Sequence, residues 1–195
     1  MIAMARKNEF KPDKQPSVWL KKLYLSPKQR RSVLKWTLYS LFLLLLSVLQ
    51  DVLLCRMQLW GATTDLVPCG IFLICLLAGA QSGSVFALIA SLLYLFSGTA
   101  PGNYCIVFIT VLSVVVTIFR QSYLQKNFAV AFLCCSVCML IYELLIGIFG
   151  IFLGLTVSSR LGVFALTGVL SMATLPILYP IISAIGRIGG EAWKD

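Results

Sequence analysis

Residues 128–155 read FAVAFLCCSVCMLIYELLIGIFGIFLGL, an apolar run long enough to cross a bilayer as one helix, with a single carboxylate, Glu143, near its middle. A carboxyl group facing lipid at that depth costs several kcal/mol, so the sequence predicts that Glu143 points into protein or a wet cavity. Steps of four, three and four residues lead from Glu143 to Gly147, Gly150 and Gly154, which predicts one shared helix face. Small residues on such a face let a second backbone approach closely, a main source of helix packing in lipid. Tyr142 stands next to this face as a second polar contact.

The rest of the chain agrees with a membrane solvent. Of 195 residues 59% are hydrophobic and 12% charged, and the mean hydropathy is +0.94, far from the mixture of a soluble domain. Six spans are expected: Thr37 to Leu54, Leu66 to Ala80, Ser84 to Phe96, Tyr104 to Phe119, Phe128 to Leu155 and Gly162 to Ile185. The second and third fall short of the ~20 residues that cross the hydrocarbon upright, so they must borrow from Gln81-Ser82-Gly83 and Ser97-Gly98, or one of them must be re-entrant. A rival reading fuses Leu66 to Phe96 into one long tilted helix.

Charge separates the two. With six spans and both termini in the cytoplasm, the inner side receives the ten Lys and Arg of residues 1–35 together with Arg120, Lys126, Arg187 and Lys194, and the outer side only Arg56 and Arg160. Fusion would place Arg120 and Lys126 outside, against the positive-inside tendency. The expected architecture is therefore all-α and integral to the plasma or inner membrane, with six transmembrane helices in one bundle and both termini cytoplasmic. Residues 1–35 form a basic tail, 36–188 the membrane domain and 189–195 a short second tail. Within the first tail, Ser17 to Leu25 interleaves aromatics and lysines, as either an interfacial helix or a disordered basic segment would. Its natural partner is the anionic lipid surface rather than nucleic acid. Ser26-Pro27 reads as an N-cap with proline at the first helical position, and Pro176 and Pro180 predict a kink in the last span.

Catalysis finds little to work with. The chain has no histidine, and Asp51, Asp65 and Glu143 are far apart in sequence, the first two expected near the outer surface and Glu143 deep. No phosphate-binding glycine loop or nucleophile elbow occurs. Cys134, Cys135 and Cys138 sit in mid-span, where thiols pack as small hydrophobes. No enzyme, cofactor or metal is expected. Asp65 is expected to cap the second span. Hydroxyl faces at Thr110, Ser113 and Thr117, at Thr167, Ser171 and Thr174, and at Ser84 and Ser91 (with Ala87 between) are expected neighbours of Glu143. Glu143 itself stays open between a structural or partner-facing contact and coupling to an ion or substrate.

The order of these features resembles the rod shape-determining membrane protein family MreD, from the first span through Tyr179. Thr64-Asp65-Leu66 resembles that family's Pro-Asp-Leu entry to the second span. Gly83 matches a glycine before the third, and Ala90-Ser91-Leu92-Leu93-Tyr94-Leu95 with Ser97-Gly98 and Gly102 resembles its Gly-Leu-Leu-x-Asp-Leu run and glycine-bearing loop. Tyr142-Glu143 resembles a Glu found at a similar place in some members. Ala90 or Ser91 replaces a frequent glycine and Tyr94 a frequent aspartate, so a role tied to that acid does not carry over, and the long basic tail is outside the usual pattern. The resemblance implies a non-enzymatic scaffold of cell elongation, a fold similar to energy-coupling-factor substrate subunits, and partners in MreC, penicillin-binding proteins and MreB. The alternative is a substrate subunit of an energy-coupling-factor vitamin transporter, for which Trp60, Asp65, Asn103 and Tyr104 offer an outer pocket.

Overall fold

The structure is a computed structural model, which describes residues 27–56, 58–123 and 128–188. The expected interfacial helix at Ser17 to Leu25, the Ser26 cap and the 189–195 tail lie outside the described residues. Those described are helical, with no strand beyond one isolated bridge between Leu59 and Ala62. The helices are α1 (Pro27–Val52), α2 (Leu66–Ala78), α3 (Ala80–Phe96), α4 (Cys105–Tyr123), α5 (Phe128–Phe152), α6 (Leu161–Met172) and α7 (Leu175–Ile188), with short 3-10 turns at Leu54–Arg56 and Ser158–Arg160. Residues 29–52 and 128–152 are each long and apolar enough to cross a bilayer, and Ser158–Met172 with Leu175–Ile188 reach that length as a pair bent by 50°. Leu66–Ala78, Gln81–Phe96 and Cys105–Phe119 are shorter apolar helices.

Everything packs around α2. Each residue from Leu66 to Leu76 is buried, and α2 meets all six other helices. A helix that is apolar on all sides has no polar face to turn outward, so it takes the middle of the bundle. The outward sides of the surrounding helices are the reverse of a soluble protein's surface. Leu41, Leu44 and Leu45 on α1, Val107 and Val111 on α4, and Leu133 and Val137 on α5 are all exposed. Such continuous apolar surface suits lipid.

Chain breaks fall where residue chemistry demands them. Gly79 adopts φ +95°, open to glycine and strained for other residues, and the chain folds back there so that α3 packs against α2. Residues 66–96 are therefore two helices, which overturns the fused reading; Gln81, Ser82 and Gly83 belong to α3, while Ser97 and Gly98 lie beyond its end and both helices stay short. At the end of α5, Leu155 N–H donates to Gly150 O (2.9 Å) and Gly154 N–H to Ile151 O (3.0 Å), a Schellman pair with Gly154 at φ +71°. Gly154 is thus a helix stop and not a fourth member of the Glu143 face. The bend between α6 and α7 precedes Pro176, and the Thr174 hydroxyl donates to Ser171 O there (2.7 Å). Pro27 is the first residue of α1, as expected for N1 proline.

The fold-back between α2 and α3 depends on one missing side chain. A Cβ on Gly83 would lie 3.0 Å from the Cys75 carbonyl oxygen and 3.2 Å from Cys75 Cα, both backbone atoms, and the Cys75 thiol donates to Gly83 O at 3.1 Å. Gly83→Ala is therefore expected to cost about 1–3 kcal/mol by forcing the helices apart. Gly162→Ala, where nothing lies within 4 Å, is expected to be neutral or mildly stabilising. Thermal unfolding of the two variants in detergent checks the contrast.

Candidate functional site

The expected cap at Asp65 turns out to be supplied from another helix. Gln50, near the end of α1, accepts from the N–H groups of Leu66 (2.9 Å) and Val67 (3.0 Å) through Oε1, so its amide caps α2 across the helix contact. Its Nε2 donates to Asp65 Oδ1 at 2.6 Å. Asp65 makes no side-chain cap of its own. Its carboxylate instead accepts from the Tyr94 hydroxyl, at 2.9 Å to Oδ1 and 3.0 Å to Oδ2, while its backbone N–H donates to Ser171 Oγ (2.8 Å). The Ser171 hydroxyl donates in turn to Thr167 O (2.8 Å). One buried carboxylate thereby ties together α1, α2, α3 and α6. Tyr94 serves Asp65 as a hydrogen-bond donor, whereas an ionised carboxylate in its place would repel Asp65.

Above this network lies a cavity of about 420 Å³. Its floor is formed by the buried Gln50, Asp65, Glu143, Ile146 and Thr167, and exposed Gly61, Gly98, Pro101 and Arg160 stand at its mouth. The loops after α1, α3 and α5 supply these residues, so all three loops lie at one end of the bundle. Asp65 and Glu143, expected at different depths, thus share one chamber. The reason is the length of α2, about 20 Å for thirteen residues, which sets its N-terminal Asp65 well inside the bundle.

Glu143 is only 3% exposed, and its Oε1 has no hydrogen-bond partner. Most of the hydroxyls expected to satisfy it bond elsewhere, and the Ser113 hydroxyl has no hydrogen-bond partner among the described residues. Thr110 donates to Ile106 O and Thr117 to Ser113 O within α4, Ser91 and Thr110 approach to 3.5 Å, and of the expected set only Thr167 lines the cavity with Glu143. Tyr142, whose hydroxyl also lacks a partner, sets its ring edgewise on Phe72, with centroids 6.0 Å apart.

The glycine face is filled by the chain itself. A Cβ on Gly147 would meet Leu161 and Phe164 of α6 at 3.1 Å, and one on Gly150 would meet Thr156 at 2.7 Å. From the other side, Gly168 on α6 lies against Leu140 and the Glu143 side chain. Of the expected outer pocket only Asp65 lines the cavity. Trp60 is 90% exposed, Asn103 is exposed, and Tyr104 stacks with Phe108 and Phe149 and donates to Pro101 O (3.3 Å). Sequence reading missed Gln50, which stands two residues before the end of α1, and Arg160, Thr63, Thr64 and Thr99, which separate loops bring together. No protein-family model, curated protein or solved structure matches the chain.

Burial pushes the Asp65 carboxyl up to about 6, against the lowering effect of the bonds from Tyr94 and Gln50. The folded chain therefore holds this proton more tightly than the unfolded chain, whose carboxyl has the ordinary value of 3.8. That contribution to stability is complete below pH 3.8 and is lost as pH rises through about 6. Thermal unfolding across this window should show the decline in the wild type and a flattened profile in Asp65→Asn. Gln50→Ala strands two backbone N–H groups and one carboxylate contact, so it is expected to cost about 2 kcal/mol or more, and Gln50→Glu to cost more still by like-charge repulsion. Denaturation midpoints of the two variants beside the wild type check this order.

Proposed function

We propose that the chain is a non-enzymatic, six-span scaffold subunit of the bacterial cell-elongation machinery, with both termini in the cytoplasm of a plasma or inner membrane. In this reading it holds the single membrane helix of an MreC-like partner and links MreB filaments inside to penicillin-binding proteins outside. The observation that carries it is how the bundle uses its residues. The buried Gln50, Asp65, Tyr94 and Ser171 tie four helices together, while the lateral surface offers a mainly apolar groove of about 340 Å³ between α1 and α3, lined by Leu43, Leu44, Val48, Ala90, Leu93 and Phe96 with Ser47, Asp51 and Ser97 beside them. The Gly147 and Gly150 face is already covered by α6 and its preceding loop, so the partner helix belongs on this groove. Side-chain packing would drive its association there, as between other helices in lipid.

A second reading, the substrate subunit of an energy-coupling-factor vitamin transporter, is favoured by the polar cavity around Asp65 and Glu143. Affinity purification of the tagged chain from its own membranes in mild detergent separates the two. The scaffold reading expects recovery of MreC and penicillin-binding proteins, reduced several-fold by Val48→Trp with Leu93→Trp. Recovery of paired ATPases with a membrane coupling subunit would overturn it in favour of the transporter.

A further inference from the structure

We infer that the 420 Å³ cavity is a binding site for a small zwitterion, its ammonium group held on Glu143 at the floor and its anionic group by Arg160 at the mouth. The volume lies within the range of small-molecule sites, ~300–1,000 Å³. The cavity is polarised along its depth: both acids lie on the buried floor, and the exposed Arg160 lies at the entrance. A bare cation would be attracted to the floor and repelled at the mouth; a molecule with one charge of each sign suits both ends. Glu143 Oε1 is buried without a hydrogen-bond partner on the cavity lining, and an N–H donor from a ligand supplies what the fold omits.

The walls refine the ligand class. Ile146, Val163 and Phe164 offer apolar contact for a short carbon chain, and Thr63, Thr64, Thr99 and Thr167 offer hydroxyls around the charged groups. Among the described residues no group of three ligating side chains forms that would hold a metal ion in place of the ammonium. Among the described residues Phe164 is the one aromatic side chain on the lining, too few for the cage that recognises quaternary ammonium, and a primary amine with N–H donors is the better match. Such a molecule is either a free solute or the ethanolamine headgroup of a lipid. The inference rests on neither functional reading, since it needs no partner helix and no coupling ATPases.

The test uses the full chain in nanodiscs of phosphatidylglycerol alone, titrated calorimetrically with phosphoethanolamine and with β-alanine, and with phosphocholine as the control lacking N–H donors. Saturable binding of at least one of the two amines is expected, with phosphocholine weaker by roughly tenfold or more, the scale of one lost hydrogen bond to a charged group. Glu143→Gln should weaken binding by a similar factor, and so should Arg160→Ala, an exposed change that leaves the bundle's packing intact. Nanodiscs containing phosphatidylethanolamine assign the source: competition with the added amine marks the lipid headgroup, and unchanged affinity marks a free solute. Failure of both amines to bind, or binding indifferent to Glu143→Gln and Arg160→Ala in variants that melt like the wild type, would overturn the inference. Neither result touches the recovery of membrane partners, so the two ideas fail separately.

Discussion

The N-terminal end of α2 begins inside the bundle, and its free N–H groups cannot reach bulk water. Gln50 resolves this with one side chain: its oxygen accepts from Leu66 and Val67 while its nitrogen donates to Asp65. Tyr94 and Ser171 complete the arrangement from α3 and α6. In a low-dielectric interior each of these bonds is stronger than in water, and each unpaired group correspondingly costly. The central helix can therefore sit where it does only if three neighbours are held in register around it. Bundle geometry follows from satisfying one carboxylate and two amides.

That same placement creates the chamber. A central helix of about 20 Å does not fill a bundle whose outer members run to 25 and 26 residues, so space remains beyond its N-terminal end. The loops after α1, α3 and α5 roof this space and bring Arg160 over two acids. Glu143 is positioned there by the close crossing of α5 and α6, where Gly147 and Gly168 remove the side chains that would hold the helices apart. A glycine stripe that looks like an invitation to another protein is used up within the chain. Exposed apolar residues on α1, α4 and α5 remain as the surfaces open to lipid or to a partner helix.

Much of this was legible in the sequence. Apolar length and glycine or proline punctuation located the helices, Pro176 marked the 50° bend while Pro180 lies inside α7, and Glu143 was marked as interior by the cost of leaving it in lipid. Gln50 was not legible, because a single amide near a helix end has no periodic signal and its role depends on a helix that starts sixteen residues later. Gly154 misled for a related reason: its spacing fits a helix face, but the helix ends two residues before it and φ turns positive.

By itself, then, the sequence determined that the chain is helical and apolar enough for a membrane, where its helices break, and which charged group must be hidden. These are local properties, set by transfer free energies and backbone preferences over a few turns. Only the tertiary structure decided that Asp65 takes its partners from three other helices, that Asp65 and Glu143 face one cavity, and that the glycine face is already occupied. Those outcomes depend on how far each helix extends relative to its neighbours, and that offset arises from packing between segments many residues apart.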